Sequence, residues 1–539
     1  MKKFIPFILI NLLASSVCSA EEENDPAEIA IGERLFLETR FAQAFYANPD
    51  KADPTVAKTI TVNGALKSPF TGKTMNCRVC HMVDEHADNS LAGMRSYSDF
   101  NQRPPVSPRT DGKKTSGRNS MSMVNISRPH HSQKSAIFHF DGEFNSMEDL
   151  VRGTLTGRNF GWQVTETQKA IKHIAAIIRE DDGKGELAEE FGGAYSKILK
   201  ATDKSIASEF TLPSEYRLDV ATASDEEILN TVAKLVSAYV TQLTFQIDDK
   251  DQYNGSPYDK FLELNNLPRK PHKNESDKVY SERLLTAINK LKQPRYVIAN
   301  TESNKFNSHN QAFEFGKKEL NGMKLFFSRA TNAKSGGNCA SCHSAPHFSD
   351  FGFHNTGLAQ QNYDALHGLG SFNQLLIPSL AQRNRQYNEF LPATAKHPKA
   401  KSRFRSIAEK SKVGYTDLGL WNVLGNLDMP APQTKLKTIM CSQAKENTTN
   451  TCSNSDLLEN SIAAFKTPVL RDLEHSNPYL HTGQFSDLAD VIRLYIRSSA
   501  MAEENQLRNT EKQIREIKLV EKDIPALLSF LKSLNEDYE

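Results

Sequence analysis

The chain has little cysteine, almost no net charge and, after its first twenty residues, no long apolar run. Seven cysteines occur in 539 residues, and 66 Lys+Arg stand against 65 Asp+Glu for a net charge of +1 with histidine neutral. So few cysteines exclude a disulfide scaffold, and their positions must say what they are for. Near-neutrality excludes a whole-molecule field that would draw in nucleic acid or anionic membrane, leaving only local patches. The lack of a later apolar run excludes stable membrane insertion. What is present is length, with 38% hydrophobic residues, enough to fill two or more cores.

The N-terminus accounts for one cysteine. Met1-Lys2-Lys3 is basic, Phe4 to Val17 is apolar, and Cys18-Ser19-Ala20 supplies small residues before Glu21-Glu22-Glu23. This reads as a signal peptide, residues 1–20, cut after Ala20, because the apolar stretch is shorter than the roughly 20 residues of a bilayer span. Acylation of Cys18 is the alternative, and the bulky Val17 before it speaks against that. A mature protein exported to the periplasm is expected, with six cysteines.

Four of the six fall in Cys77-Arg78-Val79-Cys80-His81 and Cys339-Ala340-Ser341-Cys342-His343. Each is the pattern of covalent haem c attachment: two thiols and a histidine on one face of a helical turn bind the haem edge and the iron. With 7 Cys and 15 His in the chain, chance supplies roughly 0.003 such pentapeptides. A redox Cys-x-x-Cys and half of a zinc site are the alternatives. Zinc wants its four ligands in one place, and these pairs lie about 260 residues apart. Cys441 and Cys452 flank polar sequence, and in an oxidising compartment a disulfide is the economical reading. A free redox pair is the alternative, with no histidine or helix signal beside it.

Self-comparison shows a duplication. Gly32-Glu33-Arg34-Leu35-Phe36 precedes the first motif, and Gly322-Met323-Lys324-Leu325-Phe326 the second. Downstream, the stretch from Phe140-Asp141-Gly142 to Val151 matches that from His481-Thr482-Gly483 to Ile492 without a gap. In both, a glycine turn leads into a capped amphipathic helix. Strand signals are few, so the expected fold is mainly α: two cytochrome c-like haem domains related by internal duplication, with a helical linker and insertions. The expected division is 21–265 for the N-terminal haem domain with connecting helices, 266–310 for a polar linker, and 311–539 for the C-terminal haem domain. The helix expected over 225–245 is amphipathic. Residues 394–412 and 436–458 read as polar insertions in the second domain.

With these motifs the chain resembles the bacterial di-haem cytochrome c peroxidase/MauG family, over most of its mature length. Further markers are Arg118-Asn119-Ser120, Ser256-Pro257-Tyr258-Asp259, Phe353-His354-Asn355-Thr356-Gly357, Asp417-Leu418-Gly419, Phe465 to Arg471, and Pro478-Tyr479-Leu480-His481-Thr482-Gly483. The resemblance implies two covalently bound haem c groups with His81 and His343 as proximal ligands, the C-terminal haem handling or sharing charge, and peroxide or dioxygen reacting at the N-terminal haem. It implies a calcium ion held by Asn119 and the main chain of Ser476 and Pro478. It places Tyr495 at the second axial position of the C-terminal haem, where the peroxidases carry methionine and the MauG branch tyrosine. A phenolate favours ferric iron, whereas a thioether does the opposite. A core aromatic at helical spacing from Leu488 and Val491 is the alternative for Tyr495.

At the N-terminal haem the chain departs from the family. Phe140 stands for the inter-haem tryptophan, Leu150 for the distal glutamine, and Trp162 for the distal glutamate. None of these is an acid–base group. The stretch Arg109 to Lys113 lacks the family's capping histidine, and His86, His130, His131 and His139 read as surface or structural residues. An open, apolar site is expected there, with Phe140 and Trp162 as candidates for sharing oxidising equivalents. The implied activity is that of a periplasmic di-haem oxidoreductase acting on a protein side chain or an apolar molecule. The alternatives are a conventional peroxidase served by a small redox protein and a non-enzymatic di-haem carrier or sensor. Family members often pair, so a homodimer is expected.

Overall fold

In the computed structural model, residues 25–49, 75–81, 104–299 apart from 105, 108, 114 and 204, and 305–537 apart from 307–308, 332–333 and 447–451 are described. The expected signal peptide and His86 lie outside them. Helices dominate, and the named strands, Phe353–His354 and Phe465–Lys466, form one short antiparallel pair. No helix among the described residues is long and apolar enough to cross a membrane.

Each motif turn follows a helix that crosses a later one. Ala27–Leu37 packs on Asp225–Gln242, and Lys317–Phe327 packs on Ile524–Lys532. The repeated glycine marks both crossings. A Cβ on Gly32 would collide with the carbonyl oxygen of Leu235, and one on Gly322 with that of Ala526. Only a missing side chain lets these helix axes approach so closely. The helix Asp225–Gln242 starts at a capping box, Ser224 with Glu227, and buries Ile228, Leu229, Val232, Leu235, Val236 and Val240.

The downstream repeat has one shape in both copies. Phe138 N–H donates to the Phe144 carbonyl at 2.9 Å, and Tyr479 N–H to the Phe485 carbonyl at 2.7 Å. Inside each turn, His139 and Leu480 share a positive φ (67° and 71°), as do Gly142 and Gly483 (71° and 62°). A capped helix then follows in each case, Met147–Leu155 behind Ser146 and Leu488–Glu503 behind Asp487.

Two cores correspond to the two halves, but their limits differ from the expected ones. The second core begins at Tyr258, Phe261 and Leu262 and includes Tyr280, Leu284 and Ile288. The supposed polar linker 266–310 therefore contains a core helix, Asp277–Lys290, whose buried Tyr280, Leu284 and Ile288 recur every four positions. The insertions differ too. Residues 359–463 build a further core around Trp421, and Gln433–Glu446 buries Leu436, Ile439 and Met440 beside Ile137 of the first half.

Gly322→Ala is expected to lower stability by about 1–3 kcal/mol, since the helix pair must part to admit a methyl group. Gly117→Ala, where a Cβ meets nothing within 4 Å, is expected to change stability by less than about 0.5 kcal/mol. Urea unfolding of both variants checks this.

Candidate functional site

Both motifs fold as single 3₁₀ turns, Cys77–Val79 and Cys339–Ser341. Each brings its histidine back under its cysteines: His81 N–H donates to the Cys77 carbonyl at 3.0 Å, and His343 N–H to that of Cys339 at 2.8 Å. The four cysteines are unbridged. Burial pushes the thiols of Cys77, Cys80 and Cys339 up to about 12. Each imidazole is held through Nδ1, by the Met121 carbonyl at 3.0 Å for His81 and by the Phe348 carbonyl at 3.0 Å for His343. A donor bond at Nδ1 fixes the tautomer in which Nε2 carries the lone pair a metal takes. Burial also lowers His81 to about 4, so its ring is neutral at pH 7. The donor set fits two haem c groups, one in each core.

The two histidine supports are joined. Asn125, in the turn that follows Met121, donates through Nδ2 to the Tyr253 hydroxyl at 2.9 Å. That hydroxyl meets His347 Nδ1 at 2.7 Å, beside Phe348. Arg471, paired with Asp259 at 2.8 and 2.9 Å, lies over the Tyr253 ring at 3.9 Å.

A cavity of about 1580 Å³ opens on the first motif. Cys77, Cys80, His81, Phe140, Leu150 and Trp162 line it, so the residues expected around the N-terminal haem do come together. Its chemistry differs from the expected open apolar pocket. Asp111, Lys113, Arg118, Glu143, Arg158 and Arg405 also line it, with Arg158 gripping Asp111 at 2.7 Å. Residues between Pro392 and Pro432 of the second half supply one wall. Sequence composition marks that stretch as a polar insertion, and its function as a wall rests on contacts that local sequence does not encode.

Trp162 is fully buried, and its Nε1–H is spent on the Phe41 carbonyl at 3.2 Å. It has no proton to offer a ligand in the cavity. His139 is a structural residue on the partly exposed cavity lining, with Nδ1 bound to Glu143 at 3.2 Å. His130 meets Ser132 at 2.8 Å and His131 meets Ser442 at 3.2 Å. Phe140 sits where the halves meet, its carbonyl accepting from Lys466 N–H at 2.8 Å and its ring 6.2 Å from that of His481.

Around Phe140 runs a buried charge network. Arg118 reaches Asp141 at 2.7 Å and Asp417 at 2.7 Å, while Arg405 reaches Asp141 at 3.1 Å and also Glu143. Against the desolvation that pushes it up, Arg405 and His139 hold Glu143 well below the usual carboxylate range. His139, Asp141 and Glu143 lie close enough to cage a metal ion, but the two guanidiniums already compensate them. Among the described residues Lys466 has no such partner. Its Nζ donates to the Ile137 carbonyl at 2.6 Å, and burial lowers it to about 7.

Tyr495 projects from Leu488–Glu503 against the second core. Burial, then the nearby Cys342 and Cys339 sulfurs, raise its phenol, which places it beside the second attachment turn. His354, quoted above only as a sequence marker, is there too. It binds Asp350 at 2.7 Å, and against the burial that lowers it the nearby Cys342 sulfur and the Asp350 carboxylate raise it above the usual histidine range. Of the calcium candidates, Asn119 and Pro478 meet: Asn119 Nδ2 donates to the Pro478 carbonyl at 2.5 Å, and its buried Oδ1 has no partner. Ser476 donates to the Leu473 carbonyl at 3.3 Å. Cys441 and Cys452 are joined, their Cα atoms 5.4 Å apart.

No family model and no curated protein matches the chain. Among solved structures, the diheme peroxidase BthA from Burkholderia thailandensis E264 is similar at 16% identity and a TM-score of 0.40, over 95% of this chain and 87% of that one. A variant of that protein gives 13% and 0.44 over the same shares. A MauG-like protein associated with microbial copper homeostasis gives 13% and 0.43, over 95% and 90%. Likeness this distant carries nothing about chemistry, which rests on the residues above.

Arg405→Met is expected to cost about 3–5 kcal/mol at pH 7, because it strands a buried carboxylate. The loss shrinks as pH falls through about 4, where the unfolded chain takes up the proton that the low-pKa Glu143 refuses. Lys466→Met is expected to act the other way. The native lysine costs its full penalty below pH 7 and is relieved as pH rises toward the unfolded value near 10.5. The variant should therefore be more stable than the parent at pH 6, with the gap closing by pH 10. Urea titrations across pH check both signs.

Proposed function

We propose that the chain is a periplasmic di-haem c-type oxidoreductase of the peroxidase/MauG kind, taking peroxide, with dioxygen as the alternative oxidant, in the N-terminal cavity. One observation carries the reading: each unbridged Cys-x-x-Cys turn presents a histidine fixed through Nδ1 by a main-chain carbonyl. Cys77 and Cys80 with His81, and Cys339 and Cys342 with His343, would hold the two groups. Bound there, haem supplies reversible one-electron chemistry and an iron reactive toward peroxide.

The chain's own residues define the rest. Leu150 and Trp162 give the first cavity no acid–base group on that wall, so a proton would come from water or from His139, which lines the cavity beside Glu143. Tyr495, beside the second turn, is the candidate axial ligand there, a hard oxygen donor that favours the oxidised metal. Phe140 and Lys466 occupy the junction between the halves, where charge would be shared. For calcium, the orphaned Asn119 Oδ1 and the Pro478 carbonyl offer two hard oxygens in one place. The external partner would be a protein redox donor or a protein substrate, and pairing of two copies belongs to the same reading.

Expression with a c-type maturation system should give two haems per chain by pyridine haemochrome assay, surviving denaturation. Cys339→Ala with Cys342→Ala should leave one. No covalent haem would sink the proposal. Tyr495→Phe should alter the optical and EPR spectra of one haem and leave the other unchanged; two unchanged spectra would remove Tyr495 as a ligand.

A further inference from the structure

The first cavity carries an oxidisable ring in its wall. Trp162, one of only two tryptophans in the chain, stands in its wall at 0% exposure. On the side away from the cavity lining it touches a ring that is not buried. Tyr46 lies 5.6 Å from Trp162 between centroids and is 46% exposed. His173 packs against both, 5.8 Å from Trp162 and 5.2 Å from Tyr46. Three mutually touching rings thus run from the cavity wall to the surface.

We propose that Tyr46 is a surface oxidation site, served through Trp162 from the N-terminal cavity, where phenolic donors too large to enter the cavity give up one electron. The proposal rests on the peroxide-dependent reading above and adds the place where the donor acts.

The side chains suit the two steps. Trp162 binds the Phe41 carbonyl through its N–H. When it loses an electron toward the cavity it keeps that proton, and an electron from Tyr46 restores it. Tyr46 loses that electron together with its phenolic proton, which water accepts at the exposed ring. A phenolic donor then returns one electron and one proton to Tyr46. Over two such rounds one hydrogen peroxide, its O–O bond broken, becomes two waters, and two donors each become a phenoxyl radical. His173 is fixed by its Nε2 at 2.8 Å from the Arg40 carbonyl, which holds the rings in register.

The other aromatic residues of the cavity serve less well. Phe140 and Phe160 have rings that resist oxidation. Tyr415 also lines the cavity, but the Arg403 guanidinium stands 5.9 Å from its ring centre, and a fixed cation opposes loss of an electron. Lys169 lies 5.7 Å from the Tyr46 ring, yet its side chain is half exposed and water screens it.

The haem-loaded full-length protein is mixed with hydrogen peroxide and a nitroso spin trap, and the adduct is located by peptide mass spectrometry while the optical spectrum is recorded. The expected adduct lies on Tyr46 and falls at least tenfold in Trp162→Phe, which keeps an aromatic ring in the buried position. Tyr46→Phe, at a half-exposed position that tolerates substitution, carries the test independently. It should keep the spectral response to peroxide yet lose at least tenfold in the oxidation of a phenol tethered to dextran, while free phenol is oxidised at nearly the parent rate. A spectral response with no adduct on Tyr46, an adduct on Tyr415 instead, or equal loss for free and tethered phenol overturns the proposal. The absence of any spectral response overturns the parent reading as well.

Discussion

The structure turns on how the second half of the chain grips one hairpin of the first. Residues 136–145 carry the repeated turn, and three cations from far along the chain hold them. Arg405 meets Asp141 and Glu143, Lys435 donates to the carbonyls of Ala136 and Asn145 at 3.0 and 2.6 Å, and Lys466 donates to that of Ile137. Arg118 and Asp417 tie the same place from the other side. Buried ion pairs of this kind add little net stability over apolar packing, but they tolerate no missing partner. Their effect is to fix register: Phe140 at the junction, the 392–432 wall over the first cavity, and the two repeats facing one another.

The duplication was legible because its determinants are local. A glycine at a helix crossing, a positive-φ turn and a capped helix each leave a mark within a dozen residues, and both copies show all three. The attachment turns were legible for the same reason. The segment 266–310 was misread because lysine, asparagine and serine outnumber the apolar residues there, although Tyr280, Leu284 and Ile288 stand at four-residue spacing. The wall of the first cavity was not legible at all. It is made by residues some 310–355 positions from the motif they enclose, and no period or composition records such a contact.

The site residues divide in the same way. The family resemblance singled out Tyr495, and its helix packs on the core that also holds Cys339. Trp162 was placed in the right cavity, but the Phe41 carbonyl that consumes its N–H belongs to a different segment. That single bond changes what the indole can do, from donating a proton to passing an electron. His354 and His139 were visible as letters, and only the fold shows one beside Cys342 and the other beside Glu143.

The helix crossings described for the two repeats also set an order of assembly. The first core is complete once the chain has emerged to Leu243, whereas the second needs Leu527 and Phe530 near the very end. The first motif turn can therefore fold while the later wall is still unmade. The second turn has no such interval. During synthesis, the two halves of a duplicated protein thus complete the same motif at different times.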